Sequence, residues 1–162
     1  MTEILVSTAA VKAPILGMSI DIAFEHFHLA IDHGIELSGI IGIFGQSGSG
    51  KSTLLRIIAG LEKTANGQIS IDNKTLQNST SKRFTKPEHR EIGLIFQDSR
   101  LFPHLNVYEN LAYAVKRKPQ GKLSIAQVLK LTQLTQLKHQ AVTSLSGGEK
   151  QRVSLARALL AE

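Results

Sequence analysis

The stretch GQSGSGKS, residues 45–52, is the part of the sequence that decides the fold. It fits the pattern G-x-x-x-x-G-K-[ST], with one more glycine at position 48. Residues 40–44 before it predict a short buried strand, and residues 53–60 after it predict an apolar helix that ends at Gly60. A strand, a glycine-rich turn and a helix start direct backbone N–H groups and the positive end of the helix dipole at one point. The sequence therefore predicts a loop that binds the phosphates of a nucleotide.

Two side chains of the loop would add a charge and a metal ligand to this phosphate site. The Lys51 ammonium would place a positive charge between the β- and γ-phosphates, and the Ser52 hydroxyl would take a coordination position on Mg²⁺. A glycine/serine turn that merely precedes a lysine is the alternative. Such a turn rarely fills all four fixed positions of the pattern between a strand and a helix.

Composition is ordinary for a globular α/β domain, with 162 residues, 42% hydrophobic and 20% charged. No apolar run approaches the roughly 20 residues of a membrane-spanning helix. The absence of cysteine excludes disulfides and thiolate metal sites. The net charge of +6 is spread along the chain, which favours a solvated surface over a nucleic-acid partner.

The remaining pattern predicts strands first and helices later. Alternating segments predict strands at 18–24, 27–32 and 68–72, and an apolar run predicts a buried strand at 92–96. The polar residues 73–90 predict a loop.

Three helices are expected after this loop. Asn106 and Ser124 are expected to cap the first two, and the third is expected to start near Ser146. The buried face predicted for the helix after Ser124 consists of Ile125, Val128, Leu129 and Leu131.

Two further motifs make the interpretation specific. Gln97 directly follows the predicted strand at 92–96, and residues 145–152 read LSGGEKQR. A serine hydroxyl and two glycine N–H groups at a helix N-terminus form a second anion site that has no lysine. Together with the phosphate loop, this block resembles the signature motif of ABC transporter ATPases. The resemblance covers nearly the whole chain from about residue 18 to 162.

The resemblance implies an α/β fold of the P-loop NTPase class, with a RecA-like core, N-terminal antiparallel strands and a helical sub-domain. Residues 1–162 would be the N-terminal part of an ABC ATPase domain. The core with the phosphate loop would cover about 18–100, the helical sub-domain about 105–145, and the signature helix 146–162.

The resemblance also assigns residue roles. Gln97 matches the glutamine that contacts magnesium and the attacking water in the family, and is the catalytic candidate. Ser146, Gly147 and Gly148 match the signature that presses on the γ-phosphate of ATP held by the opposite subunit. The residues that match the Walker A loop, which binds ATP and, through Ser52, Mg²⁺, are Gly45, Gln46, Ser47, Gly48, Ser49, Gly50, Lys51, Ser52 and Thr53.

The family places an aromatic ring under the adenine, upstream of the loop. Phe24 and Phe27 are the candidates, and an aromatic that packs in the core of a strand is the alternative for both.

Residues 97–111 are similar to those of importer ATPases, most of all the molybdate importer subunit. This similarity implies a subunit that powers the uptake of a small solute, molybdate or tungstate, with sulfate, sugars or iron as alternatives. The implied partners are a second ATPase subunit in a head-to-tail homodimer, transmembrane permease subunits and, indirectly, a solute-binding protein. The implied location is peripheral, on the cytoplasmic face of the inner membrane.

The sequence ends at Glu162, before the apolar strand that carries the Walker B aspartate and catalytic glutamate in the family. The fold is therefore expected to be incomplete at its C-terminus, and two functions compete. One is the N-terminal part of an enzyme that hydrolyses ATP. The other is a fragment without hydrolysis that at most binds nucleotide, which is what we expect of residues 1–162 alone. A different P-loop enzyme, such as a small kinase or GTPase, is disfavoured by the signature block.

Overall fold

The computed structural model describes residues 13–25, 27–117 and 121–161. The chain divides after Arg90 into two compact units. The first unit contains the phosphate loop, and the second contains Gln97 and the signature block.

The first unit is built on a five-stranded antiparallel sheet of strand order β2-β1-β3-β4-β5. Strands β1 and β2 form a hairpin in register from Ile15 opposite Glu36 to Phe24 opposite Phe27. The buried side chains of β1 alternate, as its sequence predicts, at Leu16, Met18, Ile20 and Ile22. The strands are β1 (Ile15–Phe24), β2 (Phe27–Glu36), β3 (Asn66–Ile71), β4 (Lys74–Asn78) and β5 (Arg83–Phe84).

The prediction of a loop at 73–90 is wrong. Strands β4 and β5 and a 3-10 turn at Pro87–His89 lie there. Asp72, with a φ of 49°, turns the chain back after β3, so β4 pairs with β3. The polar residue Gln77 is buried because its side-chain amide donates to the carbonyl oxygen of Ala65 at 2.8 Å. A polar sequence thus forms a strand where its polar groups find partners.

Helix α1 (Lys51–Ile58) follows the phosphate loop and buries Leu54 and Ile57. It ends as predicted, with Gly60 in the left-handed region at a φ of 78°.

The strand predicted at 40–44 is absent from the described residues, and Ile40 and Phe44 are almost completely exposed. The strand predicted at 92–96 is also absent, although Ile92, Leu94 and Phe96 are half-buried in alternation with exposed residues. A strand requires a neighbour that accepts its backbone hydrogen bonds. The described residues provide no pairing for either segment, so the apolar composition alone does not make them strands.

The second unit packs α2 (Val107–Arg117), α3 (Ile125–Leu131) and α4 (Gly147–Leu160), with 3-10 turns at Thr135–Leu137 and Val142–Ser144. Leu131, predicted to be buried, is 66% exposed, because α3 ends there and only Val128 and Leu129 are fully buried. Position 162, the predicted end of the signature helix, lies outside the described residues. The core of this unit consists of Val107, Leu111, Ala114, Val128, Leu129, Leu134, Val142, Leu145, Val153, Ala156 and Leu160.

Among the described helices, none combines the length and the apolar character needed to cross a bilayer.

Candidate functional site

The turn at 45–52 depends on its glycines. Gly48 and Gly50 have φ angles of 82° and 88°, a region that residues with a Cβ rarely adopt. A Cβ on Gly45 would lie 2.8 Å from the Ser49 hydroxyl oxygen. The backbone path of the turn therefore requires glycine at positions 48 and 50, and Gly45 leaves room for the Ser49 side chain.

The Lys51 side chain folds back onto the turn that precedes it. Its ammonium donates hydrogen bonds to the carbonyl oxygens of Gly45 at 2.8 Å and Gln46 at 2.6 Å. It also lies 3.3 Å from the Ser49 hydroxyl oxygen. The positive charge is thus held against the backbone of the loop.

The N-terminus of α1 has no side-chain cap. Gly50 is its N-cap and supplies no acceptor, so the N–H groups of the first turn are left for another partner. In contrast, α2 is capped by Asn106, whose side-chain oxygen accepts from the Glu109 N–H at 2.9 Å. Helices α3 and α4 each have a complete capping box. An uncapped helix behind a glycine-rich turn is a favourable place for an oxyanion to bind.

Buried Arg90 fixes the opposite end of α1. Its guanidinium donates to the carbonyl oxygens of Ile57 at 2.9 Å, Ile58 at 2.8 Å and Thr85 at 2.8 Å. Burial lowers the pKa of this guanidinium, which nevertheless stays charged at neutral pH. A cation at a helix C-terminus complements the helix dipole, so Arg90 holds the helix that carries the loop.

Phe27 packs directly on the loop, since a Cβ on Gly50 would collide with the Phe27 ring. The Phe24 ring stacks on it, with centroids 6.1 Å apart and an angle of 23° between the rings. Phe24 is 44% exposed. Of the two adenine candidates, Phe27 lies against the loop at Gly50, and Phe24 stacks on Phe27 with part of its ring exposed.

The residues of the loop could bind a magnesium ion only if a bound phosphate supplied further ligands. Ser52 is exposed on the first turn of α1. No group of three or more His, Asp or Glu side chains suited to a metal occurs in the described part of the chain. Magnesium commonly binds through few protein ligands plus substrate phosphates, and the Ser52 hydroxyl is compatible with that mode.

In the second unit, Gln97 is exposed and its backbone is attached to helix α4. The side-chain amide of Gln151 donates to the Gln97 carbonyl oxygen at 2.6 Å. Ser154 and Arg157 make similar contacts just beyond, to the carbonyl oxygens of Ser99 and Arg100. These contacts of the three α4 residues were not predicted from the sequence. The signal available was polar side chains at intervals of three on a partly buried helix.

Ser146 caps α4 as expected, and its hydroxyl already has a partner. Its N–H and its hydroxyl both donate to one Glu149 carboxylate oxygen, each at 2.7 Å. These hydrogen bonds, from the hydroxyl first, lower the pKa of Glu149. Gly147 and Gly148 are exposed, and a Cβ at either would meet nothing within 4 Å. A phosphate bound at this turn would compete with the Glu149 carboxylate for the hydroxyl hydrogen of Ser146.

The structure thus brings Gly45–Thr53 together in the first unit, and Ser146, Gly147 and Gly148 together in the second, with Gln97 attached to the same helix through its backbone. An uncapped helix behind a glycine-rich turn, and a serine-capped Ser-Gly-Gly turn later in the chain, are the arrangement expected of an ABC transporter ATPase. The chain belongs to the ABC transporter family, which matches residues 30–162.

Two curated relatives indicate which members of the ABC transporter family this chain is similar to. The molybdenum import ATP-binding protein ModC of Pseudomonas aeruginosa is 44% identical over 140 residues, which is 85% of this chain and 39% of that protein. ModC of Aliivibrio fischeri is 45% identical over 147 residues, which is 88% of this chain and 39% of that protein. The chain therefore spans about two fifths of the length of the curated relatives it matches.

Solved structures agree with the fold. The cbiO1 protein from Clostridium perfringens, part of the ABC transporter complex cbiONQ, superposes with a TM-score of 0.71 at 28% identity, over 93% of this chain and 62% of that one. A dimeric ATP-binding cassette, MJ0796, in a post-hydrolysis state with ADP and Pi gives a TM-score of 0.68 at 28% identity, over 91% of this chain and 69% of that one. The predicted family and fold class are confirmed.

Proposed function

We propose that this chain is the nucleotide-binding part of an ABC importer ATPase that takes up molybdate or a chemically similar oxyanion. The observation that carries the proposal is the loop of residues 45–52, with Lys51 held inside it and an uncapped helix behind it. The backbone N–H groups at the start of α1 and the Lys51 ammonium would bind the β- and γ-phosphates of ATP. Ser52 would contribute its hydroxyl to Mg²⁺, and Gln97 would act at the metal and the attacking water.

The Ser146–Gly148 turn would act on ATP bound by a second copy of the subunit. Open space in front of Gly147 and Gly148 supports this role, because packing within the described chain does not require glycine at either position. The dimeric cassette with ADP and Pi supports a dimer as the working form. Binding that involves the γ-phosphate would close the dimer, and its loss would let the dimer open.

The solute and the membrane partners are proposed from the relatives. The ModC proteins of Pseudomonas aeruginosa and Aliivibrio fischeri support molybdate or tungstate, with sulfate, sugars and iron as alternatives. Permease subunits would be the direct partners at the cytoplasmic face of the membrane, and a solute-binding protein an indirect one. ATP hydrolysis by the whole protein would drive the transport.

Nucleotide binding is tested by Lys51→Ala in the 162-residue chain. Removal of the ammonium should lower the affinity for Mg·ATP more than about tenfold, because hydrogen bonds to charged groups contribute about 1.5–3 kcal/mol. Titration calorimetry measures the effect. Lys130→Ala, at an exposed position of helix α3, is the matched control and should bind as the parent does. Equal affinity of Lys51→Ala and parent would reject the phosphate site.

The solute is tested in cells that carry the gene. Lys51→Ala at the chromosomal locus should abolish high-affinity uptake of radiolabelled molybdate and leave sulfate uptake unchanged. Loss of sulfate uptake with normal molybdate uptake would reassign the solute.

A further inference from the structure

One side of α4 donates three side-chain hydrogen bonds to the backbone around Gln97. The Gln151 amide donates to the Gln97 carbonyl at 2.6 Å. The Ser154 hydroxyl donates to the Ser99 carbonyl at 3.0 Å, and Arg157 Nη1 donates to the Arg100 carbonyl at 2.8 Å. Residues three apart on a helix are neighbours on its surface, so the three donors form one row, which we call the α4 clamp.

The backbone held by the clamp is in an unfavourable conformation. Ser99 and Arg100 have φ angles of 59° and 44°, in the left-handed region that a Cβ disfavours. Neither residue is glycine. Residues in such a conformation persist where the surroundings over-determine it. The contact between Ser154 and Ser99 is buried at both residues, so the clamp supplies that constraint.

The turn at residues 96–100 is also stabilised by contacts between its own side chains. The Arg100 guanidinium lies 3.8 Å from the centre of the Phe96 ring. Its Nε lies 3.3 Å from an Asp98 carboxylate oxygen, in an exposed pair. These contacts shape the turn without attaching it to any other element. The attachment to α4 comes from the three clamp residues.

We propose that Gln151, Ser154 and Arg157 are positioning residues that fix Gln97 relative to the N-terminus of α4. Since α4 is one continuous helix from Gly147 to Leu160, Gln97 and the Ser146–Gly148 turn then move as a single body. The inference rests on the proposed function, which gives Gln97 its role at the metal and the attacking water. The clamp would keep Gln97 in place for the chemical step without itself touching nucleotide.

The first test needs no nucleotide and uses the 162-residue chain. Gln151→Met keeps side-chain length and removes the donor, and Ser154→Ala removes the second donor. Amide hydrogen exchange at residues 98–100 should become about tenfold faster or more in both variants, because the local opening free energy falls. Gln136→Met, an exposed residue of the same unit, is the matched control and should exchange as the parent does. Unchanged exchange in both clamp variants would overturn the proposal.

The second test uses the whole protein that contains this chain. Gln151→Met should lower kcat for ATP about tenfold or more and change KM less than about twofold, because misplacement of a group that acts in the transition state affects the chemical step. Gln151→Lys keeps a donor of similar reach and should restore most of kcat. A rise in KM at constant kcat, or a Lys variant as slow as the Met variant, would contradict the clamp. Failure of Lys51→Ala to weaken ATP binding would reject the proposed function, and the exchange test would still judge the clamp.

Discussion

Gly50 occupies a position that another residue fills only with strain. Its φ of 88° disfavours any Cβ, and a Cβ there would collide with the Phe27 ring. The same glycine leaves the N-terminus of α1 uncapped. One residue therefore meets two requirements, the backbone path of the loop and an open anion site.

Gly50→Ala should destabilise the first unit by about 2 kcal/mol or more, from left-handed strain plus overpacking against Phe27. Urea denaturation measures the free energy of unfolding. Gly34→Ala is the matched control, because its Cβ would meet Ile15 at an ordinary 3.6 Å. Equal stability losses for the two variants would contradict this account of the loop.

Arg90→Met should cost about 2–4 kcal/mol, because it leaves the buried carbonyl oxygen of Ile57 and the part-buried carbonyl oxygen of Thr85 without their donor. Arg83→Met, at an exposed position of β5, should change stability by less than about 0.5 kcal/mol. Denaturation with urea compares the two. Similar losses would show that Arg90 contributes through general charge rather than through these contacts.

At the scale of elements, α3 and α4 begin with the same type of capping box. The side chain that closes the box is an amide, Gln127, in α3 and a carboxylate, Glu149, in α4. Ser124 donates its N–H to the neutral Gln127 amide oxygen at 2.8 Å, and Ser146 donates its N–H to the Glu149 carboxylate at 2.7 Å. Only the second box contains a titratable group. Helix α3 therefore serves as the control when the effect of acid on the capping box of α4 is measured.

The pKa of Glu149 is lowered in the folded state, so the α4 box contributes fully above the ordinary glutamate pKa of about 4.3. Its contribution is lost as the pH falls through the lower, folded-state pKa. In an NMR titration the Ser146 amide resonance should move with a midpoint below the ordinary pKa of glutamate, and the Ser124 resonance should not follow. A midpoint at or above the ordinary value would contradict the charged cap.

The elements that the sequence predicted best are those whose signal is local. Alternation located β1 to β3, and Asn106, Ser124 and Ser146 are N-caps in the structure as expected. The failures at 40–44 and 92–96 concern segments whose strand character depends on a pairing partner, which apolar composition does not specify. Strand β4 was missed for the opposite reason, because its buried polar residue Gln77 finds a partner in the backbone carbonyl of Ala65, twelve residues away.

The candidate site divides in the same way. The glycine-rich turn at 45–52 and the start of α1 were predictable because the glycines, lysine and serine are adjacent in sequence. The α4 clamp was not, because its acceptors are backbone carbonyls, which every residue possesses. Only the fold shows which carbonyls Gln151, Ser154 and Arg157 reach.

At the scale of the whole molecule, the segment before the glycine-rich loop carries four exposed apolar side chains within five residues. Ile40, Ile41, Ile43 and Phe44 are all exposed. Short apolar segments rich in β-branched residues and free of charge are typical sites of association. The 162-residue chain should therefore self-associate through residues 40–44.

Sedimentation velocity should show oligomers of the 162-residue chain that grow with concentration. The double substitution Ile40→Ser and Phe44→Ser should shift the distribution toward monomer. Leu131→Ser, which removes a single exposed apolar side chain from α3, should leave the oligomers unchanged. A parent chain that stays monomeric at all concentrations would refute the prediction.

The folded-back Lys51 side chain has a consequence for the thermodynamics of ligand binding. The ammonium donates hydrogen bonds to the carbonyl oxygens of both Gly45 and Gln46, and these bonds keep the loop backbone in its conformation before any nucleotide binds. Loss of this side chain would free the empty loop as well as remove a phosphate partner. In the variant the loop would become ordered only when nucleotide binds, so the entropic cost of this ordering would be part of the binding free energy. Calorimetry of Lys51→Ala should therefore show a less favourable binding entropy than that of the parent.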